Sequence, residues 1–271
     1  MSYKLGFLKL RFTVEEGSKK EKLIKSIIAA ENGIKRFFAK LVKRTKHTAV
    51  INNQKLYFYD VSFSLGYKNI INDMNNDCYN LSKIDFKEND IVIDIGANIG
   101  VISVYLAKKY PFLKIYAFEP FKTSYELLSE NIKANNIPEG TIKPFNTAVT
   151  KDGRNIVMKT EDLLTSVCYS VDFGKDKSAC NGKDSVKSVT LDNIIETALA
   201  ENKQSNIKLL KMDCELSEYE ILKNTKTENL KKISYLSAEF HEKDGFGNPD
   251  ELESYVKKYI RNVTVTKCKI D

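Results

Sequence analysis

The chain has no tryptophan, two histidines, five prolines and five cysteines in 271 residues. Two histidines, His47 and His241, are too few for a histidine-rich metal site. The cysteines (Cys78, Cys168, Cys180, Cys214 and Cys268) are odd in number and include no C-x-x-C pair. That excludes a zinc ligand set and a disulfide frame, and it suits free thiols in a reducing, cytoplasmic compartment. No run of about 18 apolar residues occurs, so no membrane-spanning helix is expected. The opening MSYKLGFLKLRF has neither the apolar stretch nor the small-residue cleavage site of a secretory leader.

What is present suits a buried core: 42% of the residues are hydrophobic, enough for one large α/β domain with an appendage. The net charge of +7 is uneven. The first 50 residues hold 13 Lys and Arg against 4 Asp and Glu, and the remainder carries a net −2. A basic footprint for nucleic acid is therefore missing from the main body.

Apolar residues at helical spacing over 20–44 (Leu23, Ile24, Ile27, Ile28, Ile34, Phe37, Phe38, Leu41, Val42) predict a basic amphipathic helix broken at Gly33. Such a helix can pack on the main domain, line a substrate entrance, or lie on an anionic membrane or a partner. Residues 48–63 read as a hairpin turning at Asn52-Asn53, and 66–82 as helical. Strands are then expected at about 91–95, 114–118, 141–146, 207–213, 233–239 and 262–267, with helices at about 99–109, 121–136, 215–224 and 249–259. This alternation predicts a largely parallel sheet covered by helices on both faces. The division expected is an appendage over 1–85 (a substrate lid or partner contact) and a main domain over 86–271. The stretch 150–190 reads as a hairpin and loop insertion near the site.

The most specific stretch is Ile91-Val-Ile-Asp94-Ile-Gly96-Ala97-Asn98-Ile-Gly100, followed by Phe118-Glu119-Pro120. A β-branched run ends in an acid, small and turn-tolerant residues bend the chain, and a helix follows. Glu119 falls where the next strand ends, a position from which a carboxylate takes both hydroxyls of a ribose. The pattern D-x-G-x-N-x-G differs from the dinucleotide spacing G-x-G-x-x-G. Asp94 and the Gly96 carbonyl suit a zwitterionic methionine moiety better than a pyrophosphate. Asp94, Glu119, Asp213 and Glu239 all fall at strand ends, where ligands of such sheets bind.

These segments, with VTLDNII (189–195), IKLLKMDCELSEYEILKNT (207–225) and ISYLSAEFHE (233–242), carry a family resemblance. The chain resembles the FkbM-type S-adenosylmethionine-dependent methyltransferases, of the class I Rossmann-like fold. The resemblance spans about 90–242 and is weak over 1–80. It implies a mostly parallel seven-stranded sheet whose last strand runs antiparallel, and methyl transfer to a hydroxyl of a sugar, glycan or secondary metabolite. It also implies roles for residues: Asp94, Gly96, Ala97, Asn98 and Gly100 around the methionine part, Glu119 with Pro120 at the ribose, and Asn146–Val149 with Ala148 beside the adenine. Asp213 would lie by the amine or the sulfonium. One departure stands out. The family shows D-x-E-G-x-E, and this chain has Leu216 in the glycine position, which forecasts ordinary helix geometry there or a partly filled pocket.

Alkylating an alcohol calls for a base near the acceptor. His241 is the first candidate, as a neutral imidazole. Asp213, Glu239 and Glu215 are the others, Glu215 and Glu218 being expected in the first turn of a helix. Asp213 and Glu239 with His241 could also ligate Mg or Mn, but no metal is assigned. Tyr67, Tyr79 and Ser166 are candidates to line the acceptor site. Two further readings stand beside O-methylation. A nucleic-acid methyltransferase is disfavoured because Asp213-Cys-Glu-Leu stands where an N/D-P-P-Y/F segment belongs. A cofactor-binding scaffold is the reading that Leu216 favours.

Overall fold

The computed structural model describes residues 2–5, 10–13, 18–20, 22–23, 44–61, 66–157, 185–243 and 245–269. The amphipathic helix expected over 20–44 lies almost wholly outside these residues, as do 158–184 of the expected insertion, Ser166 included.

Strands β1 (Ser2–Leu5) and β2 (Leu10–Thr13) pair antiparallel. β3 (Arg44–Ile51) and β4 (Gln54–Val61) form the expected hairpin, with Ile51 opposite Gln54. Its turn residues Asn52 and Asn53 have φ of 47° and 66°, the doubly left-handed turn that matches strand twist. Helix α1 (Gly66–Asn75) follows.

The main body runs β5 (Ile91–Ile95), α2 (Val101–Lys109), β6 (Lys114–Phe118), α3 (Lys122–Ala134) and β7 (Ile142–Phe145). Four short strands come next: β8 (Ala148–Val149), β9 (Ile156–Val157), β10 (Ser185–Val186) and β11 (Ser188–Val189). β9 pairs antiparallel with β10, and β8 parallel with β11. The chain continues through α4 (Leu191–Asn202), β12 (Ile207–Met212), α5 (Glu218–Asn224), α6 (Thr227–Leu230), β13 (Ile233–Glu242), α7 (Pro249–Val256) and β14 (Asn262–Lys269).

One sheet organises this body, in the order β14-β13-β12-β5-β6-β7. All neighbours are parallel. Every residue of β5 is buried, as a strand covered on both faces must be. Val92 joins the core under α2, α3 and the β3–β4 hairpin, while Ile91, Ile93 and Ile95 join the core under α4, α5 and α7. The chain winds outward from β5 to β7, then returns to the other side of β5 and winds outward again. That reversal makes the gap between β5 and β12 the switch point, where such sheets hold ligands.

Two expectations need correction. The sheet has six strands rather than seven among the described residues, and its final strand is parallel, with Ala238 opposite Val265. The connection from β13 to β14 contains α7, and a helical crossover returns a strand parallel, whereas an antiparallel neighbour needs a hairpin-type return. No helix among the described residues is long and apolar enough to cross a membrane.

The hairpin is fastened to α3 by two asparagines. Asn131 accepts the Tyr59 N–H at 2.6 Å and donates to the Tyr59 and Ile99 carbonyls. Asn135 accepts the Tyr57 N–H at 2.8 Å and donates to the Tyr57 carbonyl. Four helical residues rise about 6 Å and two strand residues about 6.7 Å, so the two amides match alternate positions of the strand edge. Asn131→Ala strands the buried Ile99 carbonyl and the partly buried main-chain groups of Tyr59 and should cost about 2 kcal/mol or more, read as a lower urea midpoint with the slope unchanged.

Candidate active site

Register sets the site. Ile95 lies opposite Phe118 on one side and Met212 on the other, and Met212 lies opposite Ala238. The residues that follow (Gly96, Glu119, Asp213, Glu239) therefore gather along one edge of the sheet, as the strand-end reading anticipates.

At the switch point the chain passes very close to itself. Gly96 has φ of 74°, and a Cβ there would stand 1.8 Å from the Asp213 carbonyl oxygen. Gly100 has φ of 86°, and a Cβ would stand 2.3 Å from Leu128 Cδ1. The two glycines thus answer to the protein's own atoms. The Gly96 and Ala97 N–H groups both donate to the Phe118 carbonyl, which ties the turn to β6.

Asp94 is 1% exposed and does not face open solvent. Its Oδ2 accepts the Ser103 hydroxyl at 2.6 Å, and its Oδ1 lies 3.2 Å from Lys211 Nζ. Lys211 also donates to the Gly96 carbonyl at 2.8 Å. Burial pulls the lysine's pKa down, but Asp94 and then Asp213 outweigh it and hold the ammonium charged. The acceptors that the sequence suggests for a ligand amine are thus taken by Lys211. A lysine inside the buried run IKLLKM was the signal for this pairing.

Glu119 is also buried. Oε2 accepts the Asn98 N–H and Oε1 the Phe121 N–H, each at 2.8 Å. Burial pushes its carboxyl up to about 7, partly offset by those two amides. Asn146 donates to the carbonyls of Glu119 and Pro120 at 3.0 and 2.9 Å and holds this loop in shape. Ala148 is buried in β8, and Pro120 is partly exposed.

Beyond β12 lies an acidic cluster around His241. Glu215 and Leu216 have φ of 51° and 76°, so both stand outside any helix, and α5 begins at Glu218 rather than 215. Leucine therefore keeps a left-handed conformation that costs an L-residue about 1–2 kcal/mol. Glu215 consequently turns back toward the sheet, with Oε2 3.8 Å from His241 Nε2, and Asp213 Oδ1 is 4.0 Å from the same nitrogen. The other ring nitrogen, Nδ1, lies 3.1 Å from Glu218 Oε1. Burial pushes Asp213 up to about 6 and Glu215 up to about 7. Burial works against charge on His241, but the Glu218 bond and the charges of Glu218, Glu215 and Asp213 prevail and raise it to about 9. The imidazole is thus a cation at neutral pH.

Glu239 stands beside this cluster with both oxygens engaged, accepting from Tyr79 at 2.8 Å and from the Cys268 thiol at 3.6 Å. Tyr79 therefore reaches the site from the segment before β5, while Tyr67 stacks on His47 and does not join it. Asp213, Glu215 and His241 offer atoms within 4.8 Å of one another, a spacing that admits a cation. The charged imidazole and Lys211 already supply positive charge there. Leu216 also borders a cleft of about 400 Å³ lined by Lys151, Asp152, Arg154, Glu220 and Phe246. In it, Arg154 bridges Asp152 at 2.7 Å and Glu220 at 2.9 Å.

A doubly wound sheet with a glycine turn at its switch point and an acid after the next strand defines a Rossmann-like cofactor-binding α/β protein. The family model of the methyltransferase FkbM domain matches residues 94–262, more than half of the chain. The chain belongs to that family.

It is 35% identical over 99 residues to methyltransferase sdnD of Sordaria araneosa, a match covering 35% of this chain and 36% of that protein. The chain thus spans about a third of that relative's length. It is 24% identical over 200 residues to the 31-O-demethyl-FK506 methyltransferase FkbM of Streptomyces tacrolimicus, covering 66% and 75% of the two chains. Among solved structures, M. jannaschii TYW2 in complex with AdoMet overlaps 38% of this chain and 43% of its own, at a TM-score of 0.28 and 28% identity. aTrm5, solved in complex with tRNALeu, overlaps 39% of this chain and 28% of its own, at a TM-score of 0.27 and 25% identity.

Two outcomes are expected from this geometry. Gly96→Ala should abolish folding or cost upwards of about 3 kcal/mol, read by urea unfolding, since the added carbon meets backbone. His241 has its folded pKa raised from 6.5 to about 9, so the stability it contributes is whole below pH 6.5 and lost as pH rises to about 9. The wild-type urea midpoint should fall between pH 7 and 9 more steeply than that of His241→Gln.

Proposed function

We propose that the protein methylates a hydroxyl group of a neutral small molecule or glycan, with Glu215 taking the acceptor's proton. The observation that carries this reading is Glu215 itself. Its carboxyl is raised to about 7, near working pH, where a general base is most effective. Its side chain is 23% exposed against 6% for His241, so an acceptor reaches the carboxylate first. His241, charged, holds that carboxylate, and Asp213 and Glu239 complete the acidic edge.

The residues present fit the donor. Each Glu119 oxygen accepts one main-chain N–H and keeps a lone pair for a ribose hydroxyl. In this reading the turn Gly96-Ala97-Asn98 with Gly100, backed by Asp94 through Lys211, borders the methionine part. Pro120 borders the ribose beside Glu119, Ala148 borders the adenine, and Asp213 accepts from the amine. When bound, S-adenosylmethionine supplies an electrophilic methyl group, and the protein's part is to align the acceptor oxygen and remove its proton.

The cleft beside Leu216 suits the acceptor. Lys151 and Arg154 balance Asp152 and Glu220, and Leu216 and Phe246 give it an apolar wall. A charge-balanced, partly apolar cleft favours a neutral hydroxylated molecule over a polyanion. The name of the Streptomyces tacrolimicus relative states a substrate lacking a methyl on an oxygen, which supports the same class. That Leu216 keeps the backbone form natural to glycine favours turnover over the scaffold reading. We assign 86–271 to catalysis, with 150–190 as an insertion beside the cleft, and 1–85 to a lid or partner contact. The unpaired thiols of Cys78, Cys214 and Cys268 support a cytoplasmic setting.

Calorimetric titration with S-adenosylmethionine should show micromolar binding that Glu119→Ala loses. Turnover of the donor against a panel of hydroxylated acceptors should fall about 100-fold or more in Glu215→Gln, with donor affinity kept. Methyl transfer to RNA with none to the panel would overturn the hydroxyl reading.

A further inference from the structure

Glu218 is the first residue of α5 and is fully buried, at 0% exposure. Its Oε1 accepts the Cys214 N–H at 2.9 Å and lies 3.1 Å from His241 Nδ1. Its Oε2 is buried with no hydrogen-bond partner. A carboxylate taken wholly out of water is costly unless a cation meets it. The cation it meets is His241, itself buried in β13. With Nδ1 held, Nε2 is directed at the carboxylates of Glu215 and Asp213.

We propose that Glu218 is a positioning residue of the methyl-transfer site: by gripping His241 at Nδ1 it fixes the ring so that Nε2 holds Glu215 at the acceptor edge. The proposal rests on the reading of Glu215 as the proton acceptor, which it deepens. Glu218 touches neither cofactor nor acceptor in it and acts through the imidazole alone. The arrangement resembles the way a carboxylate sets the tautomer and direction of a working histidine in other enzymes. No further proton transfer is required of Glu218.

The groups facing His241 come from four elements. They are Glu218 of α5, Asp213 and Glu215 of the loop after β12, Glu239 of β13 itself, and Cys268 of β14, directly opposite it in register. All of these are acids or a thiol. Removing the charge of Glu218 should therefore let His241 lose its proton at lower pH. His241, lowered by about one unit from about 9, stays charged where Glu215 titrates near 7, so Glu215 loses only the repulsion of Glu218 and gives up its proton at lower pH.

Because the chain has two histidines, the test is direct in the full-length protein. In His47→Gln, long-range proton–nitrogen spectra report His241 alone. In that background His241 should stay doubly protonated past pH 8. Glu218→Gln should lower its titration midpoint by about one unit or more. The same variant in the wild-type chain should lower kcat about tenfold or more at neutral pH, leave the KM for S-adenosylmethionine within about twofold, and move the acidic limb of kcat downward in pH. Glu218→Asp should restore part of both effects. An unmoved His241 midpoint in folded Glu218→Gln overturns the proposal, as does a fall in kcat with the pH limb in place. If Glu218→Gln does not fold, the His47→Gln spectrum still decides: an unprotonated Nδ1 at pH 8 overturns the grip. The imidazole titration needs no acceptor. A shifted midpoint with no turnover of any hydroxylated acceptor would therefore count against the hydroxyl reading, not against the grip of Glu218 on His241.

Discussion

A single ammonium group inside the sheet holds the two central strands together where they end. Lys211 sits in β12, contacts Asp94 of β5 at 3.2 Å and the Gly96 carbonyl at 2.8 Å, and is 3% exposed. Neither charge would survive there alone, since a buried ion without a partner costs several kcal/mol. Together they lock β5 to β12 at the point where strand order reverses. The Gly96 turn and its crossing over the Asp213 carbonyl lie directly beside that lock. The glycine is required by the crossing.

The same ammonium begins a chain of alternating charge. Lys211 faces Asp94 and influences Asp213; Asp213 and Glu215 face His241; His241 faces Glu218. Burial pushes the carboxyls of Asp213 and Glu215 above their ordinary range. Two buried cations draw them back toward neutrality, to about 6 for Asp213 and about 7 for Glu215. A site poised between protonated and ionised near pH 7 is what proton removal from a weak nucleophile needs. The strained Glu215–Leu216 turn gives this balance its shape, because an ordinary helix start would carry Glu215 away from the imidazole.

Much of this was legible in the residues. The glycine turn, the acid after the second strand, the Asn52-Asn53 hairpin and the strand ends read directly, because each rests on a local rule of backbone or period. The sheet's size and the direction of β14 did not follow, since the family resemblance supplied them and α7 decides the matter here. Glu218 was read as a charge on a helix start, which is true of its backbone position and silent about its side chain. Nothing local says that its carboxyl points inward to a residue 23 positions away. The contact of Tyr79 with Glu239 spans 160 positions and is visible only once the segment before β5 is folded on the sheet. The left-handed form of Leu216 runs against its own preference. Tertiary structure overrides local propensity there, and it does so beside the chemistry.

The asparagine pair of α3 has a bearing on how the protein keeps to itself. An exposed strand edge is a template on which another chain can add. The outer edge of β4 offers main-chain groups of Tyr57 and Tyr59, and side-chain amides from a helix occupy both pairs. A helix thus does the work of a neighbouring strand at those positions. The hairpin ends its sheet there without inviting a further strand, and an element that could have seeded association is closed from within.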